Sequence, residues 1–154
     1  MDEAGAGTAA YLDDLHLGQR FLSGWRAVDA AEIKAFAATY DPQPFHLDEE
    51  AARASLFGGL AASGWLTASI TMRLIVDGAP FAGGVIGAGG AIAWPRPVRP
   101  GDRLQVESEI VEISPSCSRP DRGAATVRGE TRNQNGETVQ MLTAKLIVPR
   151  RPPA

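Results

Sequence analysis

The stretch Tyr40–Gly64, YDPQPFHLDEEAARASLFGGLAASG, decides how this chain is read, because titratable and backbone-special residues crowd into it. Asp41 and His46 lie in a loop stiffened by Pro42 and Pro44. A proline fixes its own φ and keeps the preceding residue out of the helical region, so Asp41 and Gln43 are expected in extended or turn conformations. Such a loop can aim an acid and an imidazole at one point. Downstream, Ser63-Gly64 opens an apolar run from Trp65 to Val76 that reads as a helix. The first amides of a helix have no internal partner and point their N–H groups outward. A carboxylate, an imidazole and a helix N-terminus are parts from which proton transfer on a carbonyl compound is built.

Each residue also has a plainer reading. An Asp before a proline commonly ends a helix or starts a turn, and a lone His in such a loop can be structural. Gly64 can serve close packing alone, and Ser63 is most simply an N-cap. A Ser-His-acid hydrolase is disfavoured, since Ala61-Ala62-Ser63-Gly64-Trp65 lacks the first glycine of a nucleophile elbow and no strand leads into it.

Working outward, the run WLTASITMRLIV is apolar on nearly every side, with Arg73 its only charge. It therefore has to be wrapped. At about 1.5 Å per residue it is roughly as long as a strand crossing, which a curved sheet folded round one helix satisfies. Upstream, residues 19–28 alternate and predict a first strand. Asp29 and Glu32 are spaced as a capping box for a helix running to about Tyr40, with Ile33, Phe36, Ala37 and Tyr40 on its packed face. Asp48 caps a further short helix, which Gly58-Gly59 is expected to end.

Downstream the pattern turns to strands. Residues 83–94 are apolar and rich in glycine, as where another backbone or a ligand comes close. Residues 103–113 alternate and then slip phase at Val111, predicting a bulge. Residues 124–133 and 138–148 complete the set, with Asn135-Gly136 as a two-residue hairpin signal between them. One strand, helices, then antiparallel strands is an α+β order.

At 154 residues the chain suits one domain with a core of its own. Cys117 is its only cysteine, which excludes a disulfide framework and a cysteine metal site and points to a reducing cytoplasm. A net charge of −3 with scattered basic residues argues against nucleic acid. No apolar run is long enough to span a bilayer, and the acidic N-terminus does not look like a signal peptide. His16 falls near that arm and is expected to be inert.

The segment Tyr40-Asp41-Pro42-Gln43-Pro44-Phe45-His46-Leu47-Asp48 resembles the Asp-x-Asn-Pro-x-His segment of the MaoC-like hydratases, (R)-specific enoyl-CoA hydratases with a hot-dog fold. The resemblance covers roughly residues 12–149 as an order of elements. It implies a single hot-dog domain over 12–149, flanked by a flexible arm at 1–11 and a loose tail at 150–154. In that family the Asp and His hold the reacting water, and a Gly amide at the start of the central helix binds the thioester oxygen; Asp41, His46 and Gly64 fall on these positions. Gln43 stands where the family usually has Asn, and Ser63 where it has the His of a His-Gly pair.

The activity so implied is reversible hydration of trans-2-enoyl thioesters to (R)-3-hydroxyacyl thioesters, on coenzyme A or acyl carrier protein. It needs no cofactor, coenzyme A being part of the substrate. A homodimer or larger homo-oligomer is also implied. A thioesterase on the same fold would want a carboxylate on the central helix, and there is none between Trp65 and Val76. A non-catalytic partner subunit would not need both Asp41 and His46. Arg96, Arg99, Arg103, Arg119 and Arg122 are candidates for the coenzyme A phosphates, none singled out over solvated surface.

Overall fold

A computed structural model describes residues 9–79 and 81–154. Most of the expected N-terminal arm thus lies outside the described residues. Its end is tied down: Ala82 N–H donates to Ala10 O, and Leu12 and Leu15 are buried. Two short strands follow, β1 (Arg20–Leu22) and β2 (Arg26–Ala27), where one strand was expected. Ser23 separates them by giving its hydroxyl to the backbone. Ser23 Oγ accepts from Val106 N–H at 2.9 Å, and Ser23 O accepts from the Gln105 amide, so the chain breaks its ladder there without leaving the sheet.

Helix α1 (Ala30–Tyr40) starts as expected, with Asp29 accepting from Glu32 N–H at 2.8 Å. The reciprocal half of the box is missing, because the Glu32 carboxylate pairs with Arg26 at 2.6 Å. Ile33 and Ala37 are buried, whereas Tyr40 is exposed against expectation, its ring tilted against Phe36. The Asp41 loop holds one helical turn, α2 (Pro44–Leu47), with Pro44 at the first position, where its missing N–H costs nothing. Helix α3 (Glu49–Arg53) is capped by Asp48 and stops well before Gly58, the intervening residues forming turns.

Helix α4 (Gly64–Gly78) runs across a six-stranded antiparallel sheet ordered β1-β4-β5-β6-β3, with β2 also on β4. Its strands are β3 (Ile86–Ala93), β4 (Arg103–Pro115), β5 (Arg122–Arg132) and β6 (Thr138–Pro149). The result is the expected α+β hot-dog arrangement, a curved antiparallel sheet around a central helix. Leu66, Ile70, Leu74 and Ile75 pack with Val98, Leu104, Val106 and Val139. Each such burial contributes about 1.5–3 kcal/mol. Among them Thr71 and Thr131 satisfy each other at 2.7 Å.

The wrapping is incomplete. Trp65, Met72 and Val76 remain 58%, 42% and 58% exposed along one side of α4, and almost all of β3 is exposed beside an edge that pairs with no strand among the described residues. Of the glycines in β3 only Gly90 serves the expected backbone approach, since a Cβ there would meet Thr143 O, while Gly87 and Gly89 face open space. The predicted bulge is present, the β4–β5 pairing slipping between Ile110 and Glu112. The last hairpin differs. Asn133 and Glu137 close a three-residue loop in which only Gly136 has positive φ, so Asn135 is not part of a two-residue primed turn.

Candidate active site

The three sequence-predicted site residues come together at the start of α4. Asp41 is the C-cap of α1, its N–H bonded to Ala37 O at 2.9 Å, so the helix end fixes where its carboxylate begins. His46 sits in α2, buried between Phe45 and Phe57, the ring centroids 4.7 and 6.0 Å away. Gly64 is the first residue of α4, with Ser63 as N-cap.

His46 Nδ1 lies 2.6 Å from Ala61 O. A carbonyl oxygen only accepts, so Nδ1 carries the proton, and in the neutral ring Nε2 is the bare nitrogen. That nitrogen faces Asp41 Oδ2 at 3.4 Å. The separation exceeds a good hydrogen bond. With neutral imidazole and ionised carboxylate it is the contact of two acceptors, each able to take a hydrogen from a third group between them, Oδ2 through its second lone pair.

The segment carrying Ala61 is itself held. Ala61 N–H donates to Phe45 O and Ala62 N–H to Val98 O. Arg99 donates to Phe57 O, to Gly59 O at 2.9 Å and to Leu60 O at 3.4 Å, and its own N–H is taken by Asp102. This arginine, a candidate for phosphate from sequence, is committed to backbone carbonyls. Arg122, the first residue of β5, pairs with the adjacent Asp121 outside the cavity described next.

A cavity of about 400 Å3 opens beside His46, Gly64 and Thr67, walled by Phe57, Ala62, Trp94 and Val98. At the lip is Arg96, half-exposed and 3.5 Å from Glu137. The Asn133 amide, with that of Asn135, holds the Glu137 carboxyl below its ordinary range and so keeps it charged. Gly64 N–H makes no hydrogen bond among the described residues, and Gly64 has a packing role as well. The Trp94 indole lies so close that a Cβ on residue 64 would stand 2.6 Å from two ring carbons.

Two features of this site were not legible beforehand. Ser63 does more than cap: its hydroxyl donates to Asp41 Oδ2 at 2.7 Å. Trp94, at the end of an apolar stretch, carries no sign of this role in its own neighbourhood, and the small residue at 64 is the signal that something large lies over it. Among the described residues no cluster of His, Cys, Asp or Glu is arranged to hold a metal ion, and no helix is long and apolar enough to cross a membrane.

The fold agrees with what the chain is similar to. The MaoC like domain family matches residues 15–133. The chain belongs to the MaoC-like family. The crystal structure of a MaoC-like dehydratase from Rhodospirillum rubrum is 60% identical, with a TM-score of 0.91 over 94% of this chain and 100% of that one. An (R)-hydratase from A. caviae involved in PHA biosynthesis is 29% identical, with a TM-score of 0.71 over 90% of this chain and 98% of that one. The 3-hydroxybutyryl-CoA dehydratase of Methylorubrum extorquens is 26% identical over 136 residues, 88% of this chain and 85% of that protein. This family of dehydratases and hydratases is thus the class of enzyme to which the chain is assigned.

Proposed function

We propose that this MaoC-like protein adds water reversibly to trans-2-enoyl thioesters, giving (R)-3-hydroxyacyl thioesters, with coenzyme A as the carrier. The observation that carries the reading is the pair of acceptors, Asp41 Oδ2 and His46 Nε2, facing each other at 3.4 Å beside the free end of α4. A water molecule has two hydrogens and satisfies both. The hydratase and the CoA dehydratase among its relatives support the reaction and the carrier.

In the hydration direction, His46 Nε2 takes one proton of that water as its oxygen bonds to C3. Asp41 holds the second hydrogen and stabilises the imidazolium that forms. Electrons pushed onto the thioester oxygen are met by Gly64 N–H, a donor aimed where charge develops. With His46 neutral at the outset, neither side chain holds a spare proton. The proton that C2 receives is therefore the one taken from water, returned by His46 as the enolate collapses. Water is consumed, one O–H bond breaks, and C–O and C–H bonds form. No cofactor takes part.

The assembly proposed is a homodimer or higher homo-oligomer. Trp65, Met72 and Val76 on α4 and the uncharged edge strand β3, unpaired on its outer side among the described residues, offer apolar surface that a second copy would cover. The test of the reaction is hydration of crotonyl-CoA and longer trans-2-enoyl-CoA esters with chiral analysis of the product. The (R)-alcohol is expected. Formation of the (S)-alcohol, or hydrolysis of the thioester in place of hydration, would overturn the reading.

A further inference from the structure

Gln140 lies on β6 with no solvent exposure. Its Oε1 accepts the Trp94 indole N–H at 2.9 Å. Indole nitrogen only donates, so this bond fixes which end of the amide faces Trp94. The other end, Nε2, is buried without a partner among the described residues. An unpaired buried donor costs more than a single neutral hydrogen bond returns. Gln140 is therefore a poor choice for stability alone, and an apolar side chain of its size would fill the same space without the orphan.

What the bond does is place a ring. Trp94 follows the end of β3, and its indole reaches from Gln140 on β6 to the first turn of α4, where it lies against Gly64. Trp65 meets the same ring edge-on at 5.1 Å. The indole also forms one wall of the cavity that His46 and Thr67 line. Its face thus covers one side of Gly64, next to the amide proposed to meet the thioester oxygen.

We propose that Gln140 and Trp94 are a positioning pair: the amide pins the indole across Gly64, and the ring keeps water off the Gly64 N–H and sets the surface against which the thioester lies. A donor shielded from water acts in a lower local dielectric and is stronger for it. Neither residue touches the reacting carbons. The kinetic side of the proposal rests on the hydratase reading; the pinning of the ring does not.

The experiment compares the wild type with Gln140→Met, which keeps the volume and removes both the acceptor and the orphan donor. A structural residue would lose melting temperature on this change. The pair predicts an unchanged or higher melting temperature with kcat down roughly tenfold, a fraction of what loss of a whole oxyanion donor costs, and KM little changed. Nuclear magnetic resonance reads the ring directly. The Trp94 indole N–H signal, assigned with Trp94→Phe, should lose protection from exchange, and the Gly64 α-protons should lose their ring-current shift. Trp94→Phe should match the kinetic loss, and the double variant should be no worse than the worse single one.

Unchanged Trp94 and Gly64 signals in Gln140→Met would overturn the pinning, and unchanged kcat alongside moved signals would overturn its role in turnover. If Gln140→Met folds poorly, Trp94→Phe takes its place, and an unchanged kcat there overturns the proposal. If the wild type hydrates no enoyl thioester, the hydratase reading fails while the signals still decide whether the ring is pinned.

Discussion

Ser63 Oγ donates to Asp41 Oδ2 at 2.7 Å while accepting from Trp65 N–H at 3.3 Å. One hydroxyl thereby joins the start of α4 to the end of α1, and the carboxylate is located by both helices. Ser63→Ala removes the cap and the tether together. Loss of an N-cap costs about 1 kcal/mol, a fall of roughly 2–4 °C in Tm for a chain of this size. Turnover should fall by more than the lost stability explains, because Asp41 is then free to rotate. Calorimetry and steady-state kinetics on the same preparation check both, and full turnover in the variant would show that the tether is dispensable.

Arg99 and Arg96 should part company. Arg99→Ala strands the carbonyls of Phe57, Gly59 and Leu60, so it is expected to cost about 2 kcal/mol or more. In the folded fraction KM for a coenzyme A thioester should not move. Arg96→Ala, at the exposed lip, should leave Tm alone and raise KM for the coenzyme A thioester but not for a pantetheine thioester that lacks the nucleotide phosphates. Equal effects on the two thioesters would remove Arg96 as a phosphate contact.

Much of this was legible in the sequence because it is local. The Asp29 and Asp48 caps, the slip at Val111 and the proline-stiffened loop that carries Asp41 and His46 are written in neighbouring residues. What escaped depends on distant partners. Ser23 breaks the first strand because Val106 and Gln105, more than eighty positions away, offer it other bonds. The Trp94–Gln140 and Ser63–Asp41 bonds have no signature in spacing. Tyr40 lies outside the core for a similar reason: the helical period put it on the packed face, and only the course of the chain after Asp41 leaves that end uncovered.

The expected loose tail is partly held, and acid should release it. Arg150 pairs with Asp13 at 2.7 Å and Arg151 with Asp14 at 2.6 Å. The Arg150 guanidinium holds the Asp13 carboxyl below its ordinary range, and the Tyr11 N–H, then Arg151, do the same for Asp14. Carboxyls lowered on folding stabilise the protein above their ordinary pKa, and that contribution is lost as pH falls through the lowered values. Asp13→Asn with Asp14→Asn should therefore melt slightly below the wild type at neutral pH, and the gap should close as the pH falls below the ordinary carboxylate range. A constant gap across thermal melts at all pH values would contradict the pairing, as would high salt failing to narrow it at pH 7.

The uncovered side of α4 predicts assembly. Sedimentation of the wild type should give a dimer or larger species. Met72→Glu with Val76→Glu, placing charge on that side, should give a folded monomer. A monomeric wild type, or a double variant that assembles as before, would move the interface elsewhere.

The central claim is that Asp41 and His46 share the reacting water, and Asp41→Asn tests it most directly. Asparagine keeps the shape and can still accept from Ser63, so folding is preserved, whereas His46→Ala empties a buried site and is expected to lower Tm as well. The measurement is kcat/KM for hydration of crotonyl-CoA by Asp41→Asn beside the wild type, with Tm recorded on both. The account predicts a loss of about two to four powers of ten at nearly unchanged Tm. A well-folded Asp41→Asn protein that hydrates at close to the wild-type rate would contradict it.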